Sequence, residues 1–322
     1  MVALPSLAEL EAAARIVYAA LPPTPQYAWP LLARRTGCTV WVKHENHTPI
    51  GAFKVRGGLV YMDRLKRERP QVKGVVSATR GNHGQSIAFA AGRAGVHATI
   101  VVPHGNSVEK NAAMRAFGAE LLERGHDFDA AKEAAMALAA ERGLEMVPSF
   151  DMDLVMGVAS YSLELLRAAP DLDTVYVPIG LGSGICGMIA ARNALGLKTR
   201  IVGVVATGAP AYALSFAAGK PVATNAAETF ADGVAVRGPD ALALDIIRAN
   251  AERIVQVSDS AIMAAMRFYY EDTHQLAEGA GACALAALLQ ERDLMRGKAV
   301  GLILSGGNID RPLYAQIIGS GA

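Results

Sequence analysis

A lysine stands at the point where a tight turn passes into a predicted helix. A Thr-Pro pair and Gly51 mark the turn, and Val55–Arg67 has helical spacing, so Lys54 opens the helix. The positive end of a helix dipole disfavours a cation, which lowers the pKa of an amine and favours a nucleophilic or Schiff-base role. The alternative is a solvated surface lysine, with the adjacent Phe53 as an ordinary core aromatic.

A second loop joins the predicted strand Lys73–Ser77 to another helix. Gly81 and Gly84 permit tight turns, and the free N–H groups at the start of the helix form an anion site suited to a carboxylate. Asn82 is a neutral donor that could hold a phenolic oxygen. The alternative is a plain turn in which Asn82 or His83 caps the helix.

A glycine-rich loop follows the predicted strand Thr174–Pro178, and its strand–loop–helix context predicts a phosphate site. The stretch Gly182–Gly187 also matches the dinucleotide fingerprint. A nicotinamide enzyme needs an acidic residue at the end of the next strand to hold the ribose, and Val204–Gly208 contains none. The dinucleotide fingerprint therefore lacks the acidic residue that a nicotinamide enzyme requires.

The last predicted strand, Ala299–Leu304, ends in Ser305-Gly-Gly-Asn308. At this position the hydroxyl of Ser305 can meet a heterocycle held across the sheet. The alternative is a glycine-rich turn with a local bond from the Asn308 side chain.

Short β-branched runs alternate with helical segments along the chain, which predicts parallel sheets covered by helices. The remaining predicted strands are Thr39–Lys43, His97–Val102, Glu145–Pro148, Arg200–Val205 and Arg253–Val257. The predicted helices include Gly84–Ala94, Val108–Phe117, Asp127–Arg142, Ser258–Glu271 and Ala280–Glu291, with an amphipathic helix near the amino terminus. Ligands of such sheets bind beyond the carboxyl ends of the strands, where the four loops lie.

Together the four loops resemble the fold-type II pyridoxal-phosphate enzymes, which are tryptophan synthase β-like. The threonine and serine dehydratases are the most similar group, with serine racemase as a near relative. The resemblance implies two open, twisted, parallel-sheet α/β domains with the cofactor in the cleft between them. It implies a large domain of residues 1–50 plus 150–322, a small domain of residues 51–149, and a homodimer.

The resemblance also implies roles for individual residues. Lys54 would form the Schiff base with pyridoxal 5'-phosphate, Phe53 would pack against the ring, Asn82 would bond the 3'-oxygen, and Ser305 would bond the pyridine nitrogen. The phosphate would lie on Gly180, Leu181, Gly182, Ser183 and Gly184, and Gly233 and Glu278 would be near the cofactor. The substrate would be bound by Ser77, Ala78, Thr79, Arg80, Gly81 and His83.

These parts predict elimination of water and then ammonia from a β-hydroxy amino acid such as threonine, serine, 3-phenylserine or 3-hydroxyaspartate, giving a 2-oxo acid. An amino acid displaces Lys54 from the cofactor, and the freed amine is the natural base for the α-proton. The neutral hydroxyl of Ser305 does not hold the ring as a pyridinium. A weaker electron sink favours prompt β-elimination over transamination.

The chain departs from the family pattern at Arg80. Serine racemases carry a serine there that acts as a second base, and an arginine is permanently charged. We therefore expect lyase rather than racemase activity. Arg80 either helps to hold a substrate carboxylate, including the second carboxylate of a hydroxyaspartate, or points to solvent.

Three other departures concern metal, loop shape and regulation. The stretch Ala206–Tyr212 has no carboxylate where some relatives bind a divalent cation, so no metal site is expected. Leu181 and Ser183 interrupt the usual run of four glycines. Because the chain ends soon after Asp310, we expect no carboxy-terminal regulatory domain.

The amino-acid composition limits the classes of binding partner and the cellular compartment that we expect. The 31 basic and 30 acidic residues nearly balance, so nothing points to nucleic acid or a membrane surface, and no apolar run is long enough to span a bilayer. The three cysteines are widely spaced and odd in number, which suits a reducing cytoplasm.

Two other functions stay open at this point. One is another pyridoxal-phosphate reaction, either β-replacement as in cysteine synthase or racemisation. The other is a nucleotide-binding oxidoreductase, or a non-catalytic nucleotide binder, that uses Gly182–Gly187.

Overall fold

Ten strands form two sheets in the computed structural model, which describes residues 3–320. In chain order they are β1 (Gln26–Ala28), β2 (Thr39–His44), β3 (Gly74–Ala78), β4 (His97–Val102), β5 (Glu120–Glu123), β6 (Glu145–Met146), β7 (Thr174–Pro178), β8 (Arg200–Ala206), β9 (Arg253–Val257) and β10 (Ala299–Leu304). The larger sheet has the order β1-β2-β10-β7-β8-β9, and the smaller has the order β5-β4-β3-β6. Only β1 pairs antiparallel to its neighbour; the other pairings are parallel.

Helices connect the parallel strands and cover the sheets. They are α1 (Leu7–Tyr18), α2 (Pro30–Thr36), α3 (Lys54–Glu68), α4 (Asn82–Arg93), α5 (Val108–Ala116), α6 (Phe128–Arg142), α7 (Met152–Ala168), α8 (Ser183–Ala194), α9 (Ala211–Ala218), α10 (Ala241–Asn250), α11 (Asp259–Thr273), α12 (Gly279–Gln290), α13 (Arg292–Met295) and α14 (Arg311–Gly319). None of the helices within residues 3–320 is both long and apolar enough to cross a membrane.

The alternation of strands and helices confirms the predicted α/β fold with parallel sheets. The strands are buried because helices cover both faces, as in β3, where all five residues are buried. Strand β10 comes last in the sequence, but it lies in the interior of the larger sheet and pairs with both β2 and β7.

The helix that begins at Lys54 packs against α7 with almost no space between the two backbones. A Cβ added to Gly157 in α7 would lie 2.2 Å from the carbonyl oxygen of Arg56, and one added to Gly57 would lie 2.8 Å from that of Leu154. Larger side chains would force the helices apart. The glycines therefore set the position of α3, and with it the position of the lysine.

Candidate active site

One cavity is lined by residues from all four loops that were identified in the sequence. Sixteen of the seventeen predicted site residues line it; they are Phe53, Lys54, Ala78, Thr79, Arg80, Gly81, Asn82, His83, Gly180, Leu181, Gly182, Ser183, Gly184, Gly233, Glu278 and Ser305. The exception is Ser77, which lies within β3 and donates its hydroxyl hydrogen to the carbonyl oxygen of Val147 at 3.1 Å. The side chain of Ser77 thus joins two backbone segments instead of facing the cavity.

Backbone hydrogen bonds join the lysine turn to the loop that follows β10. The amide of Phe53 donates to the carbonyl oxygen of Ser305 at 3.0 Å, and the amide of Gly307 donates to that of Gly51 at 2.9 Å. On the other side, the hydroxyl of Ser86 in α4 donates to the carbonyl oxygen of Lys54 at 2.6 Å. Hydrogen bonds from the loop after β10 of the larger sheet and from α4 beside the smaller sheet therefore fix the backbone at Lys54.

The amine of Lys54 lies in a buried and mostly apolar setting. Burial lowers its pKa to about 8, and the negative charge of Glu278 acts in the opposite direction. The shift has the predicted direction, but its main cause is desolvation rather than the helix dipole. The Nζ atom lies 5.1 Å from the centroid of the Phe53 ring, which stacks edge-to-face on Tyr161. At neutral pH the unprotonated fraction of this amine is consequently far larger than that of a solvated lysine, although the protonated form still predominates.

This lowered pKa predicts the pH dependence of cofactor capture by the apoprotein. Only the unprotonated amine attacks an aldehyde, so the capture rate should rise about tenfold per pH unit at low pH and level off above a pH of about 8. The absorbance of the protein-bound aldehyde follows the reaction. A rate that still rises tenfold between pH 9 and pH 10 would show an ordinary, solvated lysine.

The asparagine loop forms the second wall of the cavity. The side-chain oxygen of Thr79 accepts hydrogen bonds from the amides of Gly81 at 2.9 Å and Gly84 at 3.3 Å, which shapes the turn before α4. The Nε2 atom of His83 is buried and has no hydrogen-bond partner within residues 3–320. Burial and the nearby charge of Lys54 lower the pKa of His83 to about 3, so its ring is neutral at physiological pH.

The glycine-rich loop ends at the start of α8, whose first residue, Ser183, is only 3% exposed. The first-turn N–H groups of a helix lack intrahelical acceptors and carry a partial positive charge, which suits a phosphate. Gly182 has φ +107°, a conformation that a side chain would strain, and the hydroxyl of Tyr212 donates to the carbonyl oxygen of Leu181 at 2.8 Å. The loop is thus held in one shape without a fully glycine sequence.

A buried charge cluster that the sequence analysis did not identify lies beside the cavity. The amine of Lys110 in α5 lies 3.1 Å from Asp232 and 3.8 Å from Glu278. Burial raises the pKa of Glu278, whereas Lys110 and the amide of Asn82 favour its charged form. Burial alone would lower the pKa of Lys110, but the two carboxylates outweigh it and raise it. The cluster joins the side of the cleft formed by α5 to the side formed by α12.

Arg80 occupies the boundary between this cavity and a second, outer cavity. Its side chain is exposed and makes no hydrogen bond or ion pair within residues 3–320. The outer cavity also contains Lys132 and an ion pair between Arg237 and Asp129. Arg80 is therefore both in contact with solvent and within reach of the inner cavity.

The residues around the inner cavity fit pyridoxal phosphate. The amine of Lys54 has a lowered pKa, the start of α8 suits a phosphate, and the buried Nε2 atom of His83 has no partner in the described chain. Ser305 is 5% exposed and lines the same cavity as Asn82. Within residues 3–320, no three His, Cys, Asp or Glu side chains are grouped to hold a metal ion.

Comparison with known proteins places these features in a family. A family model described as pyridoxal-phosphate dependent enzyme matches residues 17–306. The L-threonine ammonia-lyase of Geobacter sulfurreducens is 39% identical over 90% of this chain and 72% of that protein. The L-threo-3-hydroxyaspartate ammonia-lyase of Saccharomyces cerevisiae is 33% identical over 92% of this chain and 90% of that protein.

The fold agrees with solved structures of the same kind. Maize serine racemase superposes with a TM-score of 0.91 at 28% identity, covering 98% of this chain and 97% of the racemase. The predicted resemblance to fold-type II enzymes and the predicted cofactor are thereby confirmed. The chain belongs to the pyridoxal-phosphate dependent enzymes, and pyridoxal phosphate is its cofactor.

Proposed function

We propose that this chain removes water and then ammonia from a small β-hydroxy amino acid, with Lys54 as both the attachment point of the cofactor and the base. The observation that carries the proposal is the buried amine of Lys54, with its pKa lowered to about 8, in the cavity formed by the four loops. The names of the relatives bear out the prediction of a pyridoxal-phosphate dependent ammonia-lyase that acts on hydroxy amino acids.

Lys54 has the position and the chemistry of a proton acceptor. The cofactor, when bound, supplies the electron sink for removal of the α-proton and loss of the β-hydroxyl. The amine of Lys54 lies in the same buried cavity, with its pKa lowered to about 8, where it can take the α-proton and later return it.

The other loops orient the reacting groups. The N–H groups at the start of α4 and the turn shaped by Thr79 would hold the substrate carboxylate, while Ser183 and the start of α8 would hold the phosphate. Asn82 would donate to the ring oxygen. The hydroxyl of Ser305 would meet the ring nitrogen without adding a charge, which favours elimination.

A panel of β-hydroxy amino acids tests this function. Purified holoenzyme is given L-threonine, L-serine, 3-phenylserine or 3-hydroxyaspartate, and 2-oxo acid and ammonia are measured together. We expect equal amounts of both products from at least one substrate, with negligible formation of the opposite enantiomer. Racemisation as the main reaction, or a product formed only when sulfide is present, would contradict the proposal.

We further propose that Arg80 meets the far end of the substrate and favours a β-substituent that carries a carboxylate. Arg80 lines the inner cavity but extends to the outer one, so it lies on the solvent side of the site. Guanidinium groups pair with carboxylates through two parallel hydrogen bonds. One of the relatives acts on 3-hydroxyaspartate, as its name states.

The variant Arg80→Ser tests this assignment. We expect kcat/KM for 3-hydroxyaspartate to fall about 10- to 100-fold, because a charge-assisted hydrogen bond is lost, while kcat/KM for threonine changes less than about threefold. Lys132→Ser is the matched control, since it removes an exposed cation that lines only the outer cavity. Equal losses for both substrates would assign Arg80 to the α-carboxylate instead.

We also propose a homodimer in the cytoplasm. The dimer follows from the family resemblance, and light scattering of the purified protein measures it. The compartment is supported by the three cysteines, all of which are free and buried as in proteins kept in a reducing environment.

A further inference from the structure

Two asparagines and a glutamate form a hydrogen-bonded chain beside the cavity. The Nδ2 atom of Asn308 donates to the carbonyl oxygen of Ile50 at 2.7 Å and to Oδ1 of Asn82 at 2.8 Å. The Nδ2 atom of Asn82 in turn donates to Oε1 of Glu278 at 2.7 Å. This series of hydrogen bonds thus starts at the carbonyl oxygen of Ile50 in the lysine turn and ends at the buried carboxylate of Glu278.

The backbone carbonyl determines the orientation of both amides. A carbonyl oxygen only accepts hydrogen bonds, so the atom of Asn308 that faces Ile50 must be its NH₂ group. That group has two hydrogens, and its second one is directed at Asn82, so Asn82 must present its oxygen there. The NH₂ group of Asn82 consequently faces Glu278 and the cavity. The amide orientation is thereby set by Ile50, which cannot change its hydrogen-bonding role.

The space for Asn308 is provided by a glycine. Gly51 has φ +69°, and a Cβ on it would lie 2.6 Å from Oδ1 of Asn308. The amide of Gly307, next to Asn308, also donates to the carbonyl oxygen of Gly51 at 2.9 Å. Asn308 is therefore held against the turn that carries Lys54, and its contact with Asn82 links that turn to the asparagine loop. This arrangement replaces the local turn bond considered for Asn308 in the sequence analysis.

We propose that Asn308 is a positioning residue that fixes the amide of Asn82 as a hydrogen-bond donor to the ring oxygen of the cofactor. One N–H of Asn82 is used by Glu278, and the second is left for the ligand. Asn308 itself does not line the cavity. The inference rests on the proposed placement of the cofactor ring beside Asn82, and it adds the residue that determines which atom of Asn82 the ring meets.

The isosteric variant Asn308→Asp tests this inference. An aspartate cannot donate to Ile50 or to Asn82, so the amide of Asn82 turns its NH₂ group toward the new carboxylate and presents its oxygen to the cavity. A donor stabilises negative charge on the ring oxygen, and its loss should raise the pH at which the visible band of the bound cofactor titrates by about one unit. The dissociation constant of the cofactor should rise about tenfold.

The matched control is Asn46→Asp. Asn46 is also half-buried, and its amide donates to the backbone carbonyl of Leu276 at 3.2 Å. The same change of charge and the loss of the same kind of bond should leave the titration of the visible band within about 0.2 units of the wild type. If Asn308→Asp does not fold, Asn308→Ala removes both donors without a new charge and should shift the band in the same direction by a smaller amount.

An unshifted visible band in the Asn308 variants would overturn the inference, even if thermal unfolding of the apoprotein showed a lower melting temperature, because the role would then be structural only. Failure of the proposed function gives a different result. In that case the wild-type enzyme would release no 2-oxo acid from the panel of β-hydroxy amino acids, or borohydride reduction would leave no cofactor on Lys54, and neither result depends on position 308.

Discussion

Replacement of Lys54 with alanine is expected to lower kcat for every substrate of the enzyme by about 10³-fold or more. The variant lacks the amine that attaches the cofactor and that accepts the α-proton. Within residues 3–320 the only other lysine that lines the cavity is Lys110, which is held by two carboxylates. Production of 2-oxo acid measures the loss, and mass spectrometry after borohydride reduction should find the cofactor on Lys54 in the wild type only.

Two comparisons separate the chemistry of Lys54 from its charge and from the fold. Lys54→Arg keeps a cation but has no amine of lowered pKa, so we expect it to be as inactive as the alanine variant. Lys66→Ala removes a lysine from the solvent-facing part of the same helix and should retain full activity. Near-normal turnover by Lys54→Ala, or a reduced cofactor on another lysine, would remove the basis of the proposed function.

Replacement of Arg56 with methionine is expected to lower the free energy of unfolding by about 3–5 kcal/mol. The Arg56 guanidinium is fully buried and lies 2.7 Å from Glu45 and 2.7 Å from Glu164. Lys43 is the only other cation in contact with this cluster in the described chain, at 2.5 Å from Glu164. Loss of Arg56 would leave two buried carboxylates with one cation, Lys43, and the cost of desolvating the unpaired charge causes the destabilisation.

Urea unfolding of the apoprotein measures this effect, with Arg67→Met as the control. Arg67 lies on the same helix, but its ion pair with Asp63 is on the surface, where such pairs contribute about 0.3–0.5 kcal/mol. A loss of less than about 1 kcal/mol in Arg56→Met would mean that water or a rearranged Lys43 compensates the two carboxylates. The double variant Arg56→Met with Glu45→Gln should recover part of the stability, because it removes the charge of the carboxylate that loses its cation.

Most of the fold could be predicted because its elements have strong local signals. The strands of continuous apolar residues lie within one to two residues of their predicted positions, as for His97–Val102 and Ala299–Leu304. The strands Gln26–Ala28 and Glu120–Glu123 were not predicted. They are short edge strands with polar or charged residues, and only pairing with a neighbour makes them strands. The helix Met152–Ala168 was also not predicted, since it is buried on most sides and has no simple amphipathic stripe.

The candidate site also has parts that could be predicted from the sequence and parts that could not. Its loops could be predicted because glycines and chemically distinct residues follow strong strands, and helix α3 begins at Lys54 as expected. The pairing of Lys110 with Asp232 and Glu278 could not be predicted, because a lysine within a helix resembles a solvated surface residue until the fold brings two carboxylates to it. Asn308 was visible only as a turn residue, and its partners lie 226 and 258 positions earlier in the chain.

The interior position of β10 has a consequence for the order of events during synthesis. Strand β2 emerges from the ribosome early, but its parallel neighbour, Ala299–Leu304, is translated much later. Until then the larger sheet is split, β2 and β7 expose unpaired edges, and the lysine turn lacks the backbone bonds to Ser305 and Gly307. A nascent chain that stops before Ala299 therefore has Lys54 but no complete pocket around it, so stable capture of vitamin B6 must wait until β10 has been made.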